Sequence, residues 1–78
     1  MNTDEFVAFK KQLGQNLQAT RKHCGLSQEK AGEAIGLDRV SIGYIEQGKR
    51  APKLSTLFAL SRLYDIPLSD LLAFDRHE

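Results

Sequence analysis

The chain has 78 residues, of which 41% are hydrophobic and 27% are charged. This length has room for one small globular domain and excludes a large multidomain enzyme. Cys24 is its only cysteine, which excludes an internal disulfide and the class of small secreted proteins that disulfides stabilise. No apolar run approaches the ~18 residues of a membrane helix, and the acidic start of the chain is unlike a signal peptide. We therefore expect a single cytoplasmic domain over residues 1–78, with no membrane contact.

Charge is unevenly distributed along the chain, although the formal net charge is only +1. Residues 21–53 contain seven Lys and Arg against four Asp and Glu, whereas residues 54–78 contain two against four. The middle of the chain is therefore basic and its end is acidic, which indicates that any contact with a polyanion involves the middle.

Apolar periodicity predicts helices, and strand signals are missing. A first helix is predicted from residue 4 to about residue 23, with Thr3 as its cap and Gly25 at its end. Its apolar residues are three or four positions apart, as one face of a helix requires: they are Phe6, Phe9, Leu13 and Leu17.

A second, short helix is predicted over about residues 28–35. Ser27 can cap it, and Gly36 tolerates the left-handed conformation that often ends a helix. Ala31 and Gly32 are small residues, so we expect this helix to pack lightly.

A third helix is predicted from Asp38, which can cap it, through about Gln47, with Gly48 ending it. Its two sides differ, because Ile42 and Ile45 point one way and the opposite side has no apolar stripe suited to a core. Four residues spread over that opposite side: Arg39, Val40, Gly43 and Tyr44.

Two further helices are predicted, over about residues 54–64 and from Pro67 to about Phe74. Apolar spacing predicts which residues they bury: Leu57, Phe58, Leu60, Ser61 and parts of Leu63 and Tyr64 in the fourth helix, and Leu68, Leu71 and Leu72 in the fifth. The predicted fold is all-α, with five helices.

The helix pair over about residues 28–47 has the dimensions of a helix-turn-helix, in which the second helix enters the major groove of DNA. The surrounding motifs are specific: LQATRKHCGLSQE at 17–29, GLD at 36–38, IGYIEQGKRAP at 42–52 and LFALSRLYDIPLSDLL at 57–72. Over roughly residues 13–72 the chain resembles the lambda-repressor-like, Cro/C1-type (XRE-type) helix-turn-helix family. Within that family it is similar to short phage repressors and restriction-modification controller proteins.

This resemblance implies a transcriptional regulator that binds double-stranded DNA in a sequence-specific manner, as a homodimer on a palindromic operator. The positions that match base-reading residues of the family are Arg39, Val40, Gly43 and Tyr44. The positions assigned to phosphate binding are Gln28, Asp38, Ser41, Lys49, Arg50 and Lys53. Arg21 and Glu46 match a structural ion pair that braces the first helix against the third.

Elementary chemistry is compatible with these roles, and it leaves alternatives open. Arg39 can present its guanidinium fork to guanine, and Val40 can contact a thymine methyl group or pack against the second helix instead. Gly43 permits close approach of either DNA or a neighbouring helix. Tyr44 can reach a phosphate or a base edge, or it can cover the rim of the core.

A homodimer needs an apolar interface, and the acidic end of the chain is the part that DNA does not attract. We expect Ile66, Leu72 and Phe74 to form this interface. Phe6 and Phe9 are the alternative.

Catalysis is not expected, because no acid, base and nucleophile occur in a recognisable cluster. His23 and Cys24 are too few to fill a tetrahedral metal site and point about 100° apart on a helix. We expect no metal, cofactor or small-molecule ligand. The second hypothesis for the function is a protein-interaction module, such as an antitoxin or an anti-repressor partner.

Overall fold

The computed structural model describes residues 3–74; Met1, Asn2 and residues 75–78, which include His77, lie outside the described residues. Within this range the chain forms five helices and no strand, which confirms the predicted all-α fold. The helices are α1 (Thr3–His23), α2 (Gln28–Ile35), α3 (Arg39–Glu46), α4 (Leu54–Leu63) and α5 (Leu68–Leu71). Among the described residues, no helix is long and apolar enough to cross a bilayer.

Local hydrogen bonds fix where α2 and α3 begin. The Ser27 side chain accepts a hydrogen bond from the Lys30 amide at 3.0 Å, and Asp38 Oδ1 accepts one from the Ser41 amide at 2.7 Å. Between the two helices, Gly36 has a φ of 81°, a left-handed conformation that glycine adopts without steric strain. Both predicted caps and the predicted turn are confirmed, so the start of α3 is fixed relative to α2.

A single hydrophobic core is shared by all five helices. Its buried residues are Leu13, Leu17, Ala31, Ile42, Ile45, Leu57, Leu60, Tyr64 and Leu71. α1 packs against α3 and α5, and α2 packs against α3 and α4. Because α3 presents Ile42 and Ile45 to this core, its other side is available to solvent.

Two glycines allow the backbone around α3 to approach other helices closely. A Cβ atom at Gly32 would collide with the carbonyl oxygen of Leu37 in the turn before α3. A Cβ atom at Gly14 would collide with the carbonyl oxygens of Ile45 and Glu46 at the end of α3. The expectation of light packing is therefore wrong for Gly32, since the missing side chain permits tighter contact between α2 and the turn.

The prediction that Phe58 is buried is also wrong, because this residue is 58% exposed. The buried side of α4 is formed by Leu57, Leu60 and Tyr64, which follow one another at helical spacing. Phe58 lies about 100° around the helix from Leu57, where the Arg62 guanidinium lies 5.9 Å from the centroid of its ring.

α5 ends at Leu71, earlier than the predicted end near Phe74. Asn16 Nδ2 donates hydrogen bonds to the carbonyl oxygens of Leu71 and Ala73, at 3.0 and 3.2 Å. A side chain of α1 therefore binds the chain after α5, in place of further helical hydrogen bonds.

Other helix ends differ from the predictions by one residue. α3 ends at Glu46 and α4 at Leu63, because Gln47 and Tyr64 serve as their C-terminal caps. Thr3 lies within α1. Such differences are within the variation expected at helix ends.

We expect Gly14→Ala to lower the free energy of unfolding by about 1–3 kcal/mol, because the added methyl group forces packed helices apart. Gly43→Ala is the matched control. Its Cβ atom would lie 3.7 Å from the Gln28 side chain, which is ordinary contact, and alanine is favoured over glycine in a helix by about 0.8–1.0 kcal/mol. Urea unfolding followed by circular dichroism measures both variants. If both variants changed the free energy of unfolding by the same amount and in the same direction, the close approach of α1 to α3 would be contradicted.

Candidate nucleic-acid interface

A buried ion pair joins the end of α1 to the end of α3. Arg21 Nε donates to Glu46 Oε2 at 2.7 Å, and Arg21 Nη2 donates to Glu46 Oε1 at 3.1 Å. Each residue is only 6% exposed. Arg21 Nη1 also donates to the Leu26 carbonyl at 2.8 Å, and the hydrogen bonds with Glu46 raise the pKa of Arg21 above its ordinary value. The guanidinium therefore connects three segments of the chain.

Gln28, the first residue of α2, is the third member of this network. Its Nε2 atom donates to Glu46 Oε1 at 3.1 Å. An ionised carboxylate only accepts hydrogen bonds, so Nε2 faces Glu46 and the amide oxygen is left for another donor. The amide lies across Gly43, which places it on the outer side of α3.

The four residues predicted to read bases lie together on that outer side. With two glutamines they line a shallow depression, whose residues are Gln28, Arg39, Val40, Gly43, Tyr44 and Gln47. Val40 is 52% exposed, so about half of its surface faces solvent on this side. Gly43 is buried beneath the surrounding side chains.

Gln47 belongs to this depression but was missed in the sequence reasoning. It follows Val40 by seven residues and Gly43 by four, which is the spacing of one helix face. Extending the exposed face of α3 by one turn would have found it.

Three of the six predicted phosphate-binding residues line a second groove, between α3 and the start of α4. Ser41, Arg50 and Lys53 line it together with Ser55 and Thr56. Sequence reasoning missed the last two, which lie in the first turn of α4, where backbone N–H groups lack helical partners. Lys49 lies beside the depression instead, with its Nζ atom 5.8 Å from the centroid of the Tyr44 ring.

Asp38 differs from the other residues assigned to phosphate binding, because it is acidic. Its carboxylate caps α3, and the hydrogen bond from the Ser41 amide lowers the pKa of Asp38 below its ordinary value. The negative charge disfavours direct contact with a phosphate, and the predicted phosphate-binding role of Asp38 stays a prediction.

The residues predicted for a dimer interface lie at different places along α1. Phe74 contacts Phe9 in its N-terminal half, whereas Ile66 follows Tyr64, whose carbonyl oxygen accepts a hydrogen bond from Cys24 Sγ just after α1. Ile66 and Phe74 are partly buried against the core. Leu72 is 37% exposed, so the prediction that the fifth helix buries it is wrong, because it follows the end of α5 and points away from Leu71 in the core. Phe74 contacts Phe9 edge to face, with ring centroids 5.2 Å apart, and Phe9 stacks on Phe6 at 6.5 Å. Phe6, Phe9 and Phe74 thus form one aromatic patch, and the function of these residues as an interface stays a prediction.

A family model for helix-turn-helix domains, HTH_3, matches residues 17–71 of this chain. The chain belongs to this helix-turn-helix family. The resemblance inferred from the sequence motifs is therefore confirmed.

Relatives within the family include regulators of different lengths. Control protein C.SmaI of Serratia marcescens is 36% identical over 67 residues, which are 86% of this chain and 80% of C.SmaI. The transcriptional regulator PuuR of Escherichia coli is 40% identical over 60 residues, 77% of this chain and 32% of PuuR. The chain therefore spans about a third of the length of PuuR.

Two solved structures share the fold of this chain. The restriction-modification controller protein C.AhdI from Aeromonas hydrophila superposes with a TM-score of 0.79 and 35% identity, over 83% of this chain and 94% of C.AhdI. The DNA-binding domain of BldD from S. venezulae gives a TM-score of 0.75 and 34% identity, over 85% of this chain and 99% of that domain.

Glu46→Ala removes one partner of a buried pair and leaves the Arg21 charge uncompensated, so we expect it to lower the free energy of unfolding by about 3 kcal/mol. Glu33→Ala is the matched control, because it breaks the pair with Lys30, whose 3.6 Å separation joins side chains 69% and 58% exposed. Exposed helical pairs of this kind contribute about 0.3–0.5 kcal/mol. Chemical unfolding measures the free energy of unfolding of both variants. If both lose the same amount, the buried ion pair does not determine the stability of the fold.

Asp38 predicts a specific dependence of stability on pH. Its pKa is lower in the folded chain, so the charged carboxylate stabilises the fold above the unfolded value of about 3.9, and this contribution is lost as the pH falls through the folded value. Asp38→Asn keeps a capping side chain without the charge. We expect the melting temperature of the wild type to exceed that of Asp38→Asn at neutral pH, and the difference to shrink below about pH 4. A difference that stays constant down to pH 2 would contradict this account.

Proposed function

We propose that the protein is a transcriptional regulator that binds double-stranded DNA in a sequence-specific manner. The observation that carries the proposal is the outer side of α3, a helix fixed at both ends, which presents exposed side chains beside a group of basic residues. These residues are Arg39, Val40, Tyr44, Lys49, Arg50 and Lys53.

Base recognition is proposed for the N-terminal part of α3. Arg39 is the first residue of that helix and is exposed, so its guanidinium can donate two hydrogen bonds to O6 and N7 of guanine. Val40 follows it and offers an apolar surface suited to the methyl group of thymine. The free amide oxygen of Gln28 adds an acceptor beside them.

Phosphate binding is proposed for the basic residues around this helix. Lys49, Arg50 and Lys53 are exposed and follow α3 directly, and Ser41 lies in the same groove as two of them. Contacts of this kind contribute affinity regardless of sequence and weaken with salt. They orient the protein on the duplex, and the base contacts then provide specificity.

A regulatory function is supported by the relatives. C.SmaI is a control protein, PuuR is a transcriptional regulator and C.AhdI is a restriction-modification controller. In this proposal the protein acts in the cytoplasm by occupying its operator, without a cofactor or a small-molecule ligand.

Homodimerisation is part of the proposal. Leu72 is exposed next to Leu71, whose carbonyl oxygen binds Asn16 of α1, and the aromatic patch lies along the N-terminal half of α1, so both offer apolar surface to a second copy. A two-fold axis through this surface pairs the same residues of both subunits. The two α3 helices would then read half-sites about 34–36 Å apart on a palindromic operator.

Selection of binding sites from random duplex DNA, at about 0.15 M salt, tests the proposal directly. Recovery of a palindrome with half-sites about one helical turn apart supports both specific binding and the homodimer. If the folded protein enriches no sequence, DNA recognition is rejected and a protein-interaction module becomes the better account.

Arg39→Ala and Lys53→Ala separate base reading from phosphate binding. We expect Arg39→Ala to lose about 1–3 kcal/mol of discrimination at one base pair. Lys53→Ala is expected to weaken binding to all sequences equally and to reduce the slope of log affinity against log salt by about one unit. Binding of each variant to a panel of single-base operator variants measures both effects. If both variants lose affinity equally across the panel, the assignment of Arg39 to base reading and of Lys53 to phosphate binding is wrong.

A further inference from the structure

We propose that Tyr44 is a positioning residue, whose ring holds Lys49 and Arg50 in place for contact with DNA phosphates, and that it does not read a base. The inference rests on the proposed DNA binding and changes the function assigned to one residue of the site. It is carried by backbone and side-chain contacts that all converge on Tyr44.

The backbone after α3 folds back onto Tyr44. The Tyr44 carbonyl oxygen accepts hydrogen bonds from both the Lys49 and the Arg50 amides, at 2.9 and 3.3 Å. Gly48, with a φ of 75°, makes the reversal possible, since this left-handed conformation is strained for other residues. Both basic residues therefore start from a backbone that is fixed to the last turn of the recognition helix.

The two basic side chains then lie over the Tyr44 ring. Arg50 Cζ is 5.4 Å from the ring centroid and Lys49 Nζ is 5.8 Å from it. Arg50 Nη1 also donates a long hydrogen bond of 3.4 Å to Ser41 Oγ. A cation within about 6 Å of an aromatic ring face is attracted by the negative charge density of that face, which here offsets the repulsion between the two cations.

Such an arrangement favours phosphate binding because it restricts side chains that are otherwise flexible. A free Lys or Arg loses rotamer entropy when it binds, and part of that loss is avoided when the side chain is already held in place. Lys49 and Arg50 are both exposed, so the ring holds the two cations without removing them from solvent.

Base reading is the less suitable function for Tyr44. Its hydroxyl offers one donor and one acceptor, without the paired hydrogen-bonding groups with which Arg, Asn or Gln distinguish base pairs. The exposed surface of the ring is also shared with two cations. The positioning function explains both contacts, whereas base reading explains neither.

Tyr44→Leu and Tyr44→Phe separate the two functions. Leucine keeps apolar bulk and helix propensity but removes the ring, whereas phenylalanine keeps the ring and removes only the hydroxyl. Phe58→Leu is the matched control, since it removes a similar ring with Arg62 at 5.9 Å, on α4 and outside the depression and the groove of the candidate site.

The first measurement uses the protein without DNA. In proton NMR spectra, the ring of Tyr44 should shift the side-chain signals of Arg50 upfield in the wild type and in Tyr44→Phe. In Tyr44→Leu these signals should return to the positions of a free arginine side chain. Unshifted Arg50 signals in the wild type would overturn the proposal, whatever the protein binds.

The second measurement is affinity for the selected operator and for a duplex of scrambled sequence. We expect Tyr44→Leu to weaken both by about fivefold, because two side chains that the ring no longer holds must then be ordered on binding, and Tyr44→Phe to restore most of the loss. Arg50→Ala should weaken binding about threefold less in the Tyr44→Leu background than in the wild type, because coupled residues are not additive. Phe58→Leu should leave both affinities unchanged.

Two results would overturn the positioning function while leaving DNA binding intact. One is a Tyr44→Phe variant as weak as Tyr44→Leu, which would assign the contribution to the hydroxyl. The other is a Tyr44→Leu variant that loses preference at one base pair and keeps its affinity for the scrambled duplex, which would make Tyr44 a base-reading residue. A wild type that binds neither duplex, even at low salt, rejects the proposed function itself.

Discussion

The buried pair between Arg21 and Glu46 is the constraint on which the position of α3 depends. α3 has only eight residues, too few for a helix to be stable by itself in water. Its first turn is fixed by the Asp38 cap and its last turn by Glu46, which the Arg21 guanidinium binds through two nitrogen atoms. Removing two charges from water is costly unless their hydrogen bonds are satisfied, and here the Leu26 carbonyl and the Gln28 amide complete the set.

The same network connects the core to the outer side of α3. The Gln28 amide donates a hydrogen bond to the buried Glu46 carboxylate and lies against Gly43 on the exposed side of α3. A buried carboxylate therefore orients the Gln28 side chain in the candidate DNA interface. The carbonyl oxygens at the end of α3 come so close to Gly14 that no side chain fits between α1 and α3. Electrostatic complementarity and close packing thus act on the same two helices, which makes the exposed side of α3 a rigid surface.

The parts of this arrangement that could be predicted from the sequence are those that depend on neighbours along the chain. Ser27, Asp38 and Gly36 act within three or four residues of their own positions, and the structure bears out all three. Contacts between segments were harder to predict. Helical periodicity places Phe58 near the buried side of α4, but only the position of the neighbouring helices shows that nothing covers it. The reversal that brings Lys49 onto Tyr44 likewise depends on how the loop leaves α3, which residue spacing does not determine.

α1 relates the two surfaces that the proposed function requires. Its C-terminal end holds α3 through Arg21, while Asn16 binds the chain after α5 and Phe9 contacts Phe74 near its N-terminal end. Arg21 and Phe9 lie on one continuous helix, which separates them by about 18 Å at 1.5 Å per residue. A helix transmits position with little bending over such a length, because each turn is hydrogen-bonded to the next. The end of α3 also packs against Gly14 in the middle of α1, so α3 is fixed to this helix at two points. In the proposed homodimer, α1 therefore carries both the aromatic patch and the contacts that hold α3, and the half-site spacing of the operator depends on α1 as well as on α3.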